Sequence, residues 1–218
     1  MAFTRTLPED VLRTIADQVA ARIRVAPADA HSLFMTESVS EGENTLNLGE
    51  SFQVWTLIKG FTNEVANGNL ELSSLARESG VWHHQIRSNE IAGGFARSQA
   101  LGPTADSWSL RELFSSPLAE SIDEAIAWVD ENIPDEVEVR LLSVPFQQVE
   151  AFWFVTQQDS PLHDTLNDFL LILMAPEHLG KLVPLTLVSS SEFLRSIANP
   201  TRGMGFNPGT ARDDDQEV

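Results

Sequence analysis

The stretch Val81–Ser98, VWHHQIRSNEIAGGFARS, decides the fold. Its two arms, VWHHQIRS over 81–88 and IAGGFARS over 91–98, are strand-like, and Asn89-Glu90 between them is a pair compatible with a tight turn. The stretch therefore reads as a β-hairpin. Gly93 and Gly94 lie in its second arm, where missing side chains predict a bulge or the close approach of another backbone.

Upstream, SFQVWTLIK over 51–59 sets Phe52, Val54, Thr56 and Ile58 against Gln53, Trp55 and Leu57, as a strand buried on both faces would. It is read as a central strand. Downstream, Val137, Val139 and Leu141 alternate with Glu136, Glu138 and Arg140, and Val149–Val155 with Phe152, Trp153 and Phe154 is apolar enough for a buried strand. Pro145 marks the turn between them. Phe169–Met174 is another apolar run, and Val183–Val188 is a further candidate strand.

Helices punctuate these strands. Leu12, Ile15, Val19 and Ile23 recur at spacings of three and four, and Thr6-Leu7-Pro8-Glu9 ahead of them has the form of a capping box. Leu70–Glu78 reads as a short helix. Ser116-Pro117 opens a helix with Leu118, Ile122, Ile126 and Val129 on one stripe and Pro134 at its end. Ser190–Ala198 reads as a short helix with Ser189–Ser191 available as caps. Strands interrupted by helices without a regular βαβ alternation give an α+β fold with a mostly antiparallel sheet, an N-terminal helix and a packed amphipathic helix.

The expected organisation is an N-terminal helical segment over 1–35, an acidic flexible loop over 36–50, the α+β domain over 51–198 and a flexible tail over 199–218. The loop rests on ESVSEGENTLNLGE at 37–50, which is poor in large apolar groups. The tail rests on its glycines, prolines and terminal acids.

Composition bounds the partners. The 218 residues carry a formal net charge of -18, so phosphate backbones and anionic lipid surfaces are repelled, and the classes of partner left are neutral or basic proteins, cations and small molecules. Acidity of this kind is also common in bacterial-type cytosolic proteins. With no cysteine, the chain has no disulfide frame, thiolate metal site or cysteine nucleophile. No apolar run approaches the ~20 residues of a membrane-spanning helix, and the start of the chain lacks the pattern of a signal peptide. The reading is a cytoplasmic protein with no membrane, nucleic-acid or cofactor requirement, its oligomeric state left open.

Three constellations bear on chemistry. His83-His84 follows Trp82; adjacent strand residues point to opposite faces, so one is expected toward the core and one toward solvent, and the pair is ill suited to one metal. His163-Asp164 sets a carboxylate beside an imidazole. No G-x-S-x-G elbow, phosphate-binding glycine loop or calcium loop is present.

The third constellation is the acidic face of the helix after Pro117, with Glu120, Asp123, Glu124, Asp130 and Glu131, and Trp128 beside it as an interface anchor. From Gly102 to Gly180 the only cations are Arg111 and Arg140. Arg202, Met204 and Phe206 in the tail form a candidate docking peptide. The leading functional expectation is a non-enzymatic accessory or adaptor protein that binds another protein through the acidic helix, its aromatics or the tail. An acidic inhibitor or immunity-type protein against a basic enzyme is the alternative. An enzyme using His84, or His163 with Asp164, is the second alternative.

Overall fold

The computed structural model describes residues 6–25, 46–88, 91–114, 117–134, 137–156 and 169–199. Among these residues, eight strands form one sheet: β1 (Leu46–Leu57), β2 (Ala76–Ser88), β3 (Ile91–Ala100), β4 (Trp108–Phe114), β5 (Glu138–Val144), β6 (Val149–Val155), β7 (Phe169–Met174) and β8 (Leu187–Ser189). Their order across the sheet is β4-β3-β2-β1-β5-β6-β7-β8. The sheet is thus two antiparallel meanders placed back to back. The seam between them is the parallel ladder of β1 with β5, formed by Val54–Leu141, Trp55–Leu142 and Thr56–Ser143.

Among the described residues, five helices accompany the sheet: α1 (Glu9–Arg24), α2 (Phe61–Ala66), α3 (Leu72–Leu75), α4 (Pro117–Asn132) and α5 (Ser190–Ala198). One sheet face holds Phe52, Val54, Leu141, Phe152, Phe154 and Leu171 against Leu118, Ile122, Ala125 and Val129 of α4. On the other face, α1 packs Val11, Ile15, Val19 and Ile23 against Ile86 and Ala96. The same face in the second meander holds Leu142, Val144, Ala151, Trp153 and Ile172 under α2, α3 and α5. Because both faces are covered, central strands read as near-continuous apolar runs, as in the VEAFWFV of β6, which is buried at every position except Val155.

The α+β architecture and the mostly antiparallel sheet match the sequence expectation, with β1 central between β2 and β5. The hairpin stands at β2/β3, and its register passes from Ile86–Gly94 to Arg87–Ala92, so Gly93 is the extra residue of a bulge. Several boundaries differ from the sequence reading. Strand β1 begins at Leu46, inside the stretch read as loop, because Leu46–Leu48 pair with Ile86–Ser88 of the hairpin. The helix read over 70–78 is only Leu72–Leu75; its remainder starts β2, paired to β1 through Ala76–Leu57 and Arg77–Thr56. The last strand is Leu187–Ser189, and Leu185 before it has φ 58, a left-handed conformation that interrupts extended pairing.

The expected capping box on α1 does not form. Pro8 occupies the N-cap position without a side-chain cap, and the acids Glu9 and Asp10 sit in the first turn. Helix α5 does carry the expected cap: Glu192 N donates to Ser189 Oγ at 3.2 Å. Ser189→Ala is therefore expected to cost about 1 kcal/mol of stability, read as a lower urea midpoint at unchanged slope.

Candidate functional site

Helix α4 presents the acidic residues unequally. Glu120, Glu124, Asp130 and Glu131 are exposed, and the spacing of 120, 124, 127 and 131 lays Glu120, Glu124 and Glu131 along one row of the helix surface. Asp123 is turned inward instead. Its carboxylate accepts from Arg87 Nη2 and from Gln85 Nε2, each at 3.0 Å, and Arg87 also pairs with Glu50 at 3.0 Å. Gln85 in addition donates to the Ala119 carbonyl at 2.9 Å. Asp123 thus fastens α4 to the sheet, and its charge is already matched by Arg87.

Trp128 is half-buried, with its ring 6.4 Å from that of Phe154, so part of the indole belongs to the core and part remains at the helix surface. Arg202, Met204 and Phe206, and likewise His163 and Asp164, lie outside the described residues.

The two sheet histidines correct one expectation. They do point to opposite faces, but neither meets solvent, since both are 0% exposed. Alternation set their directions; the helices on both faces set their burial. His84, on the α1 side, is held between two hydroxyls, with Ser51 Oγ 2.9 Å from Nδ1 and Ser98 Oγ 2.7 Å from Nε2. A neutral imidazole offers one donor and one acceptor, and a serine hydroxyl can serve either, so this arrangement satisfies the uncharged ring. Burial lowers the His84 pKa to about 4.

His83, on the α4 side, stacks on Phe95 with ring centroids 4.7 Å apart. Neither of its ring nitrogens has a hydrogen-bond partner among the described residues. Burial pushes its pKa well below the usual histidine value, with the Arg97 guanidinium and then His84 adding in the same direction and Gln85 opposing.

A charged cluster that the sequence reading did not single out reaches His83 through Arg97, its cross-strand partner. Arg97 Nη2 donates to Glu150 Oε1 at 2.8 Å, and Ser143 Oγ donates to the same oxygen at 2.8 Å. Glu112 lies 3.8 Å from Arg97 Nη1 on the more open side of the cluster. Burial pushes the Glu150 pKa up, against the Arg97 charge and the hydrogen bonds from Arg97 and Ser143, which pull it down. On the opposite sheet face Arg140 stacks on Trp55 at 4.1 Å while both oxygens of Glu138 accept from its guanidinium at 3.0 Å. These groups are engaged with one another.

Among the described residues, no set of three His, Asp or Glu side chains gathers as a metal site, and no helix is long and apolar enough to cross a membrane. A cavity of about 440 Å³ beside α5 is lined by residues including Lys181, Ser191, Glu192 and Arg195. A neighbouring one of about 500 Å³ shares Ser189 and Ser191 with it and reaches Asn69 and Glu71. Compared with protein-family models, with curated proteins and with solved structures, the chain matches none.

Proposed function

We propose that the protein is a cytosolic, non-enzymatic adaptor that binds a basic partner protein on the outer face of α4. The observation that carries this reading is the exposed row of Glu120, Glu124 and Glu131, with Asp130 beside it, on a helix with no basic residue. The row is locally unfavourable. Glu120 and Glu124 stand four apart with like charge, and Asp130 and Glu131 lie in the last turn, where the helix dipole disfavours anions. An arrangement that weakens its own helix finds its compensation when a cationic surface covers it. Trp128 at the same surface supplies apolar area to such a contact.

The test is capture from a lysate of the source organism by full-length protein, at low and moderate salt, beside the variant Glu120→Lys/Glu124→Lys/Glu131→Lys. The reading expects a partner retained at low salt, weakened as salt rises and lost with the variant. Capture that is indifferent to both would end it. Asp123 is left unchanged, because replacing it would release Arg87 and Gln85 and confuse folding with binding. If the partner is an enzyme whose activity falls on binding, the inhibitor form of this reading gains, and it expects association slowed by the same charge reversals.

The local cost is itself measurable. Glu131→Lys removes an adverse charge from the last turn and is expected to raise stability by about 0.3–1 kcal/mol in urea denaturation, while weakening partner capture. A variant that lost both stability and capture would remove the argument from helix electrostatics.

A further inference from the structure

Four strand spacings separate Arg97 on β3 from Glu150 on β6, with β2, β1 and β5 between them. In a flat sheet that separation is about 19 Å, more than the two side chains span together. They nevertheless meet at 2.8 Å. The sheet must therefore bend toward the α4 face somewhere across β2, β1 and β5, a stretch that contains the seam. At the seam the only backbone ladder is Val54–Leu141, Trp55–Leu142 and Thr56–Ser143, against seven consecutive pairs between β5 and β6. Ser143 is both the last residue of the seam ladder and a donor to Glu150.

The pair is expensive to hold in place. Arg97 Nε, Glu150 Oε2 and both nitrogens of His83 are buried without a hydrogen-bond partner among the described residues. A buried polar network satisfied only in part is held against the desolvation of its unmatched groups. Solvent is close on one side, since the side chain of Glu112, the second acid facing Arg97, is 46% exposed, as is Phe114, whose ring lies 5.4 Å from Phe95.

We propose that the Arg97–Glu150 ion pair is a latch across the seam, and that its release lets the β4-β3-β2 side swing away from β5-β6, hydrating His83, Arg97 and Glu150 without unfolding either meander. The seam is the hinge because it has the shortest ladder within the sheet's interior, and opening would uncover the Phe52–Phe152 ring contact at 4.9 Å together with part of the packing of α4, which covers Phe52 and Val54 on one side of the seam and Leu141 and Phe152 on the other.

Native-state amide exchange on the full chain tests this, read by mass spectrometry at increasing sub-denaturing urea. In the wild type, the amides of 54–56 and 141–143 should exchange at least about tenfold faster than those of 82–86 in β2, with little urea dependence, as a sub-global opening requires. Glu150→Gln, which removes the charge and keeps an acceptor, should speed seam exchange about tenfold further and leave β2 exchange less affected. Arg97→Met/Glu150→Met, which removes both charges, should slow seam exchange below the wild-type rate. Seam and β2 amides exchanging together, with one urea dependence, in the wild type and the double variant would reduce the pair to an ordinary structural contact and overturn the latch. That comparison stands even where Glu150→Gln fails to fold.

Discussion

Glu150→Ala is expected to destabilise the protein by about 3 kcal/mol, the lower end of the range for removing one partner of a buried ion pair. The magnitude follows from what is left behind. Arg97 would keep its charge with its side chain only 17% exposed, and its remaining acid, Glu112, stands at 3.8 Å on the more exposed side, too far for a short charged hydrogen bond. Ser143, which is 2% exposed, would lose the acceptor of its hydroxyl at the same time. Glu112 moderates the loss, so the lower end of the range is chosen. Urea denaturation of Glu150→Ala beside Arg97→Met/Glu150→Met checks the argument: the double variant should recover most of the loss, because it removes both charges together. A double variant as unstable as the single one would mean that shape, and not unmatched charge, dominates at this site.

The elements of the fold were legible where burial on one or both faces imposes a pattern. Val149–Val155 and Phe169–Met174 are strands because such runs must be covered on both sides, and Ser190–Ala198 is a helix because its apolar spacing and its cap agree. Trp108–Phe114 was not legible as a strand. It is the outermost strand of the first meander, mostly half-buried or exposed, and its Ser109, Arg111 and Glu112 blur any alternation.

The candidate site was legible only as composition. Glu120, Glu124, Asp130 and Glu131 do face solvent, yet Asp123, identical in kind, is spent on Arg87 and Gln85, which lie 36 and 38 residues away in the chain. Arg97 and Glu150 are 53 residues apart, and in the sequence each is a single charge within a strand-like run, with nothing that marks the other as its partner. Their meeting depends on the bend of the sheet, a property of topology that no local spacing encodes. The burial of both histidines has the same origin: period-two alternation gives direction, while the cover provided by α1 and α4 comes from elsewhere in the chain.

The second large effect expected is a loss of stability in mild acid governed by His84. Its pKa is depressed from the ordinary value of 6.5 to about 4 in the folded protein, because burial between Ser51 and Ser98 favours the neutral ring. For a group whose folded pKa is depressed, the stabilisation is complete above the unfolded pKa and is lost as pH falls toward the folded one. The window is therefore from about pH 6.5 down to about pH 4, and its full width corresponds to roughly 3 kcal/mol. His83, also depressed by burial, acts in the same direction. Glu150 opposes them, since a raised acid pKa favours the folded state as pH falls, but it is one group against two. The histidines should win, and urea midpoints should fall steadily across the window. His84→Gln retains a donor and an acceptor for the two serine hydroxyls and cannot take up a proton in this range, so its pH dependence should be shallower than that of the wild type by most of that amount. An unchanged slope in His84→Gln would show that His84 titrates alike in the folded and unfolded chains, or that another group carries the acid sensitivity, and either would overturn this account of the buried imidazole.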